Sequence, residues 1–245
     1  MNALTYLDEI KGKKSFTRKE ALQSFRNGGY TLSDASFNKT FTMMVKEGTL
    51  LHAGFGKYYI PGRNTKPYKY NYSALAKEAA EQIQKEYPLV RFMIMDLVQM
   101  NDFVNHQIAH NTIFVSVETD AIDFVFETLK DKYFGRTLLL PTSDLYNQYW
   151  CENMIVVNKL TTEAPKCTEA LWHTRLEKLL VDIMADPVLR EIISESEYPY
   201  IYENAFSMYE IDESSLFRYA SRRTVKKKIE KLISEQTNIQ LRIKG

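Results

Sequence analysis

Residues 17 to 29 of the chain read Thr17-Arg18-Lys19-Glu20-Ala21-Leu22-Gln23-Ser24-Phe25-Arg26-Asn27-Gly28-Gly29 and contain both the start and the stop signal of a helix. Thr17 and Glu20 have the capping-box spacing, in which the threonine hydroxyl accepts a free backbone N–H and the glutamate side chain reaches back. Gly28 and Gly29 end the helix, because glycine tolerates the left-handed turn. Ala21, Leu22 and Phe25 are expected to face inward.

Similar signals surround this helix. A short amphipathic segment precedes it, and Ser33 is the expected cap of a third helix. The apolar residues of that third helix are spaced i, i+4, i+7 and i+8, at Phe37, Phe41, Met44 and Val45. A strand, a glycine-containing turn and a second strand follow over 49–60. Three helices and a hairpin within about 60 residues are typical of a winged helix-turn-helix, whose third helix commonly enters the major groove of DNA.

A DNA-reading face can be assigned from the helical repeat. At roughly 100° per residue, the side of the third helix opposite its apolar stripe carries short polar, lysine and methionine side chains. The predicted DNA-binding residues of this face are Ser36, Lys39, Thr42, Met43 and Lys46. Lys57 in the hairpin and Arg63 just beyond it are predicted to contact the flanking backbone or minor groove. The alternative interpretation is a solvated helix face, or a winged helix that binds protein.

The charge distribution agrees with this assignment. The 245-residue chain has a formal net charge of +1, but residues 1–67 carry 11 basic and 5 acidic side chains. Residues 68–220 carry 13 basic and 24 acidic side chains, and residues 221–245 carry 8 and 2. Polyanion binding is therefore expected at the two ends of the chain. The composition excludes a disordered or collagen-like chain, and the two cysteines, Cys151 and Cys167, predict neither a disulfide framework nor a zinc site.

The proline- and glycine-containing stretch 61–67 predicts a domain boundary. We assign residues 1–62 to a winged-helix domain, 63–72 to a linker and 73–245 to a larger domain. Up to about residue 157, short apolar strands alternate with helical patterns, one of which is Val98 to Ala109. A long helical pattern from Leu171 and further helices complete the larger domain. The predicted fold class is α+β: an N-terminal winged helix-turn-helix, then a mixed α/β domain with mixed strand order, ending in a helical bundle.

The sequence contains none of the common short motifs of catalytic sites, including the phosphate-binding, dinucleotide-binding, zinc-protease and esterase motifs. His106 and His110 have metal-ligand spacing on a helix but no evident third ligand. The enzymatic alternative is a metal-dependent nuclease or nucleotidyltransferase with a winged-helix targeting domain. It would use Asp96, Glu118 and Asp120, if these carboxylates converge on magnesium.

A family resemblance connects the two domains. The carrying segments are Trp172-His173-Thr174-Arg175-Leu176-Glu177-Lys178-Leu179-Leu180-Val181-Asp182, Tyr202-Glu203-Asn204-Ala205-Phe206 and Leu216-Phe217-Arg218-Tyr219-Ala220-Ser221-Arg222-Arg223. With the winged-helix pattern and the linker, they resemble the AbiEi-like antitoxins of bacterial type IV toxin–antitoxin and abortive-infection systems. The resemblance spans nearly the whole chain. The sequence departs from the family in lacking a strongly basic second domain.

This resemblance implies a non-enzymatic antitoxin that represses its own operon through the winged helix. The larger domain would oppose a nucleotidyltransferase-like toxin through a surface that includes Arg175, Lys178 and Asp182, which helical spacing places away from the apolar stripe of their helix. We therefore expect a transcription repressor without cofactor or metal, with operator DNA as its partner. Cooperative binding or a homodimer is expected, because one small winged helix buries little surface.

The acidic start of the chain and the lack of a long apolar run predict a cytoplasmic protein with no membrane contact. A basic strip on the last helix, at Lys226, Lys227, Lys228 and Lys231, is either solvated or a second phosphate-contacting element.

Overall fold

The computed structural model describes residues 3–11, 13, 15–31, 33–53, 56–60, 65–167 and 170–242, without the side chains of Ala3 and Leu4. The architecture is α+β, which confirms the predicted fold class. Two compact units are present. The smaller unit contains the described residues of Met1–Pro67, Ser207–Ser215 and Gln240–Gly245, and the larger unit contains those of Tyr68–Phe206 and Leu216–Ile239.

In its described residues up to Tyr59, the smaller unit has three helical segments and three short strands in the order of a winged helix. Its elements are a 3-10 helix (Ala3–Ile10), β1 (Phe16–Thr17), α1 (Arg18–Asn27), α2 (Asp34–Lys46), β2 (Leu51–His52) and β3 (Lys57–Tyr59). The strands form an antiparallel sheet of order β1-β3-β2. The first helix is a 3-10 helix, and α2 is the third helix of the sequence prediction. Gly54 and Phe55 of the expected turn lie outside the described residues.

Local capping begins the two α-helices of this unit where the sequence predicts. The Thr17 hydroxyl accepts the Glu20 N–H at 3.2 Å, and the Glu20 carboxylate accepts the Thr17 N–H at 2.7 Å. This backbone hydrogen bond, together with that from the Thr17 hydroxyl, lowers the pKa of Glu20. The Ser33 hydroxyl caps α2 in the same manner. The starts of both helices are therefore set by side chains within four residues.

Two later segments of the chain complete the smaller unit. The Tyr59 hydroxyl at the end of β3 donates to the Ile211 carbonyl at 2.5 Å, across a sequence separation of 152 residues. The Arg242 N–H donates to the buried Glu213 carboxylate at 2.8 Å, and the Arg242 guanidinium lies 4.1 Å from the Tyr59 ring centroid. A contiguous division of the chain at residue 62 did not foresee these contacts. The predicted boundary, between residues 62 and 63, lies outside the described residues.

From residue 74 onward the chain alternates helices and strands and then becomes helical. The elements are α3 (Ala74–Glu86), β4 (Phe92–Asp96), a 3-10 helix (Leu97–Asp102), β5 (Thr112–Val117), a 3-10 helix (Thr119–Ala121), α4 (Ile122–Lys132), β6 (Thr137–Leu139), α5 (Ser143–Tyr149), β7 (Met154–Lys159), α6 (Leu176–Ala185), α7 (Pro187–Ile192), a 3-10 helix (Glu195–Glu197), α8 (Tyr198–Met208), α9 (Glu213–Arg222) and α10 (Lys226–Gln236).

The sheet of the larger unit has the order β4-β5-β7-β6. Strands β5, β7 and β6 are parallel and β4 is antiparallel to β5, as the predicted mixed strand order requires. Because side chains alternate along a strand, Ile113, Val115 and Val117 lie on one face, in the core with α3 and α4. Phe114 and Ser116 lie on the opposite face, where a polar cavity is found.

The helix predicted over Val98 to Ala109 is wrong beyond its first turns. A 3-10 helix covers Leu97–Asp102, and no regular element is assigned from residue 103 to 111. The Asn101 side chain accepts the Ile108 N–H at 2.7 Å and donates to the Ile108 carbonyl at 3.0 Å. One asparagine thereby satisfies both backbone groups of Ile108, and the chain closes a loop where it could have continued a helix.

The helix predicted from Leu171 begins five residues later, at Leu176. Residues 172–174 instead extend the sheet beside β4: the Ile94 N–H donates to the Trp172 carbonyl at 2.8 Å, and the Thr174 hydroxyl donates to the Ile94 carbonyl at 2.7 Å. Trp172 belongs to this edge and not to the apolar stripe of the helix. Edge pairing satisfies backbone groups of β4 that would otherwise be exposed.

No helix among the described ranges has the length and apolar character that crossing a bilayer demands.

The capping box of α1 yields a stability prediction. Replacing Thr17 by alanine (Thr17→Ala) should lower the free energy of unfolding by about 1 kcal/mol, because an N–H at the start of α1 loses its acceptor. Urea denaturation followed by circular dichroism measures the change. Thr31→Ala, at an exposed threonine, is the control and should change the value by less than about 0.5 kcal/mol. Equal stabilities for the two variants would contradict the assigned cap.

Candidate functional site

The predicted DNA-reading residues share one side of α2. Lys39, Thr42, Met43 and Lys46 are exposed and Ser36 is half-buried. Met43 is unusual for an apolar side chain, since it is 48% exposed. These residues are three or four positions apart and therefore follow one another along a single face.

The aromatic core of the smaller unit fixes the rotation of α2. Phe37 contacts Phe25 of α1 with a ring-centroid distance of 5.2 Å, and Phe41 contacts Tyr58 of β3 at 4.8 Å. Both phenylalanines are almost fully buried, as is Met44. Because this apolar stripe is held by α1 and the sheet, the lysine side of α2 must face solvent.

Arg18, the first residue of α1, adds a cation to the same face. Its Nη2 lies 3.1 Å from the Thr42 hydroxyl and 3.4 Å from the Asn38 carbonyl, and its guanidinium lies 4.8 Å from the Phe41 ring centroid. Three contacts to one helix hold this side chain in place before any ligand arrives. Arg18 is not among the residues predicted for this face, because its contacts with α2 span 20 to 24 residues of sequence.

Lys57 of β3 lies near the same end of α1. It is exposed, and its strand partner in the register is Thr17, the residue directly before Arg18. Cα atoms of paired residues on antiparallel strands are about 5 Å apart, so the sheet brings Lys57 close to the start of α1. Arg63, the other residue predicted beyond the hairpin, lies outside the described residues.

Ion pairing distinguishes the cations of this face from several other cations of the smaller unit. Lys11 pairs with Asp8, Lys13 with Glu20 and Arg26 with Asp34. In the described part of the chain, the lysines of the proposed face have no carboxylate partner; these are Lys39, Lys46 and Lys57. Their charge is therefore available to an external anion.

The lysines of α10 differ in this respect. Lys226 pairs with Glu230, Lys228 with Glu195 and Lys231 with Glu235. The inward residues of this helix, Ile229 and Leu232, are buried as the sequence predicts. Most of the basic strip is thus compensated on the protein, which favours the solvated-helix interpretation over a second phosphate-contacting element.

The surface predicted for the larger unit at Arg175, Lys178 and Asp182 is wrong for two of these three residues. Lys178 and Asp182 of α6 are only 4% and 5% exposed, so neither belongs to a surface. Arg175 precedes the helix and lies 2.6 Å from the Glu177 carboxylate. Residues 176–184 are all buried, and α6 therefore has no solvent side. The apolar stripe is real, but the polar side of the helix is covered as well.

A buried polar cluster replaces that surface. The Lys178 ammonium lies 2.5 Å from one oxygen of Asp182 and 3.2 Å from the Ser116 hydroxyl. The other Asp182 oxygen accepts the Tyr219 hydroxyl at 2.9 Å and pairs with the Arg223 guanidinium at 3.3 Å. Burial, with the Asp182 carboxylate beside it, raises the pKa of Tyr219, so this hydroxyl keeps its proton and donates. Each oxygen of Asp182 is satisfied, which allows a carboxylate to remain in the interior.

Asp186 extends the polar region at the end of α6. One oxygen accepts the Val188 and Leu189 N–H groups at the start of α7, and the other accepts the Asn158 amide at 3.1 Å. Burial raises the pKa of the Asp186 carboxyl, although the Leu189 N–H opposes the change. The carboxylate therefore acts as the cap of α7 and connects this helix to β7.

The carboxylates of the enzymatic alternative do not converge. Asp96 pairs in the sheet register with Ile113 at the start of β5, whereas Glu118 follows the end of β5. Five residues of antiparallel strand place these positions about 17 Å apart. Asp96 accepts hydrogen bonds from Ser73, and Glu118 from Arg91. Asp120 is exposed, and no group of three metal-ligating side chains occurs among the described residues.

The two histidines with metal-ligand spacing do not form a shared site either. They do not lie on a helix, because the chain is irregular between residues 103 and 111. His106 Nδ1 is 2.7 Å from the Glu197 carboxylate, and His110 Nδ1 is 2.6 Å from that of Glu152. A hydrogen bond from the Asn105 N–H, and a smaller effect of the hydrogen bond with His106, lower the pKa of Glu197. Each ring therefore has a separate acidic partner.

The chain belongs to a family described as a family of unknown function, DUF6577, which matches residues 36–239. The match begins inside α2 and runs through the whole larger unit to the end of α10. No curated protein matched the chain.

The buried ion pair of α6 provides a direct energetic test. Asp182→Asn keeps the shape of the side chain but leaves the Lys178 ammonium buried without its carboxylate, and should lower the free energy of unfolding by about 3 kcal/mol. Chemical denaturation is the measurement. Glu230→Gln is the matched control, because Lys226 and Glu230 form an exposed pair at the same i,i+4 spacing; the expected loss is below about 0.5 kcal/mol. Similar losses in both variants would show that the α6 pair behaves as a surface pair.

Proposed function

We propose that this protein is a DNA-binding transcriptional repressor that represses its own operon through the α2 face of the smaller unit. The observation that carries the proposal is the group of lysines without carboxylate partners on and beside α2. Phosphate contacts need available cations, and this face supplies them together with short polar side chains that can reach base edges. Lys11 and Arg26, two cations of the smaller unit outside this face, have acidic partners instead.

The dimensions of α2 support insertion into the major groove. Its 13 residues give a helix about 20 Å long, and the major groove is about 12 Å wide, enough for one helix. Lys39 and Lys46 lie two turns apart, so they can contact phosphates at separated points. Thr42 and Met43 lie between them, where a side chain would meet base edges or a thymine methyl group.

Arg18 and Lys57 would contact the backbone beside the helix. The Arg18 guanidinium is held against α2, and a side chain that is already ordered loses less entropy on binding. A single winged helix with this few contacts buries little surface. We therefore propose cooperative binding, or a homodimer, on a repeated or palindromic operator.

Reversing the charge of the α2 lysines tests their contact with DNA. Lys39→Glu combined with Lys46→Glu should abolish the electrophoretic shift of the native upstream DNA. For the unaltered protein, the logarithm of the binding constant should fall as the logarithm of the salt concentration rises, with a slope of about 4 per subunit. Each phosphate contact contributes about 0.9 to this slope. The salt dependence is measured by titration at several ionic strengths.

The matched control for this variant is Lys77→Glu with Lys85→Glu on α3. It makes the same change in net charge on exposed lysines of the larger unit and should leave the shift nearly intact. If the α2 variant is folded by circular dichroism and binds like the unaltered protein, α2 does not read the DNA. If both variants lose binding equally, overall charge is responsible and the α2 face is not.

We also propose, from the resemblance to AbiEi-like antitoxins, that the larger unit opposes a nucleotidyltransferase-like toxin. The buried cluster at Lys178 and Asp182 would serve this role by keeping α6 in place and not by contacting the toxin. Any contact would come from Arg175 or other exposed groups.

Coexpression separates the two activities. The α2 variant should restore growth to cells that express a nucleotidyltransferase encoded beside this gene, as fully as the unaltered protein does, because toxin neutralisation does not require operator binding. Colony counts after induction give the result. Failure of the unaltered protein to restore growth would refute the antitoxin role and leave DNA binding untouched.

A further inference from the structure

A cavity of about 310 Å³ lies in the larger unit, where the three parallel strands end. Ser116 of β5 and Lys159 of β7 are at or near the carboxyl ends of their strands, and Leu140 directly follows β6. In open α/β sheets, ligands bind beyond the carboxyl ends of parallel strands. The position of this cavity is therefore one that binding sites commonly occupy.

The ionisable side chains that line the cavity give it a positive formal charge. Lysine or arginine is present at three positions, Lys159, Lys178 and Arg223. Aspartate is present at two, Asp182 and Asp186. Their balance leaves an excess positive charge next to buried protein, where screening by water is reduced.

The cavity offers a ligand fewer hydrogen-bond acceptors than donors. The two oxygens of Asp182 accept from Lys178, Tyr219 and Arg223, and those of Asp186 accept from the α7 backbone and Asn158. Both carboxylates are therefore already occupied by protein donors. A ligand would find few acceptors here.

Donors, by contrast, remain in surplus. The Lys178 ammonium has three N–H groups and two acceptors, Asp182 and Ser116. Arg223 uses Nη1, so Nε and Nη2 have no acceptor in the described part of the chain. Ser116 accepts from Lys178, which leaves its own proton to donate. Lys159 is exposed at the mouth, with no carboxylate partner among the described residues.

Apart from Asn158 and Thr161, the rest of the lining is apolar, and the volume is small. Met95, Phe114, Leu140, Pro141 and Leu189 contribute to the wall. A volume of about 310 Å³ is at the lower end for small-molecule pockets. A ligand with one anionic group and a short apolar or planar body would fit both the size and the lining.

We propose that this cavity binds a compact oxyanion, a phosphate ester or carboxylate of metabolite size, whose charged group contacts Lys178, Arg223 and Lys159. Phosphate and carboxylate share the recognition chemistry, since both present several acceptor oxygens to guanidinium and ammonium donors. The site is separate from the proposed DNA-reading face, because none of its lining residues belongs to the smaller unit.

Calorimetric titration of the full chain at constant ionic strength tests the proposal. The probes are inorganic phosphate, adenosine monophosphate and benzoate, each titrated separately. At least one should bind saturably with a dissociation constant of about 1 mM or tighter. Saturation by the phosphate probes alone identifies a phosphate group as the ligand, and saturation by benzoate alone identifies a carboxylate; either result supports the site.

Variants locate the binding. Lys159→Gln should weaken binding roughly fivefold and Lys159→Glu should abolish it, because Lys159 is exposed and its replacement does not disturb the buried cluster. Lys85→Gln, at an exposed lysine of α3, is the control and should bind as the unaltered protein does. The variant with glutamate at positions 39 and 46 should also retain binding, which separates this site from the α2 face.

Two results would overturn the proposal. One is the absence of saturable binding for all three probes by a protein that is folded and titrated at millimolar probe concentrations. The other is unchanged affinity in Lys159→Glu, or loss of binding in the α2 variant, since either would place the anion outside the cavity.

Discussion

Aromatic packing around Phe37 and Phe41 is the interaction on which the arrangement of the smaller unit depends. These two rings connect α2 to Phe25 of α1 and Tyr58 of β3 through centroid distances of 5.2 and 4.8 Å. Such contacts stabilise a core by burial and by ring geometry together. They also fix the rotation of α2 about its axis. A rotation of about half a turn, or two residues, would turn the lysines inward, where an unpaired ammonium is costly.

The sequence was a good guide to the helix caps and the apolar stripe of the smaller unit. The Thr17 and Ser33 caps and the α2 stripe involve residues within eight positions, and the structure has each of them. The polar side of α6 could not be inferred in this way. Periodicity shows which side is apolar, but the partners that cover the other side, Tyr219 and Arg223, come about forty residues later. A tertiary contact overrode a local pattern.

Segment charge was similarly an incomplete guide to anion binding. The N-terminal and C-terminal segments carry the same excess of six positive charges in the sequence. The structure distinguishes them, because lysines of α10 are paired with Glu195, Glu230 and Glu235, whereas those of α2 are not. An ion pair already compensates the charge that a phosphate would otherwise meet. Available cations, and not total cations, are therefore the better measure of a nucleic-acid surface.

The two groups of cations also differ in what they can recognise. Lysines on α2 are hydrated and mobile, which suits attraction over a distance but gives weak discrimination, and base contacts from Thr42 or Met43 must supply any sequence preference. Lys178 and Arg223 are held by Asp182 and Tyr219, so their remaining donors point in fixed directions. Fixed donors select a ligand by shape as well as charge. The exposed lysines thus suit a long polyanion, and the enclosed cations suit a single small anionic group.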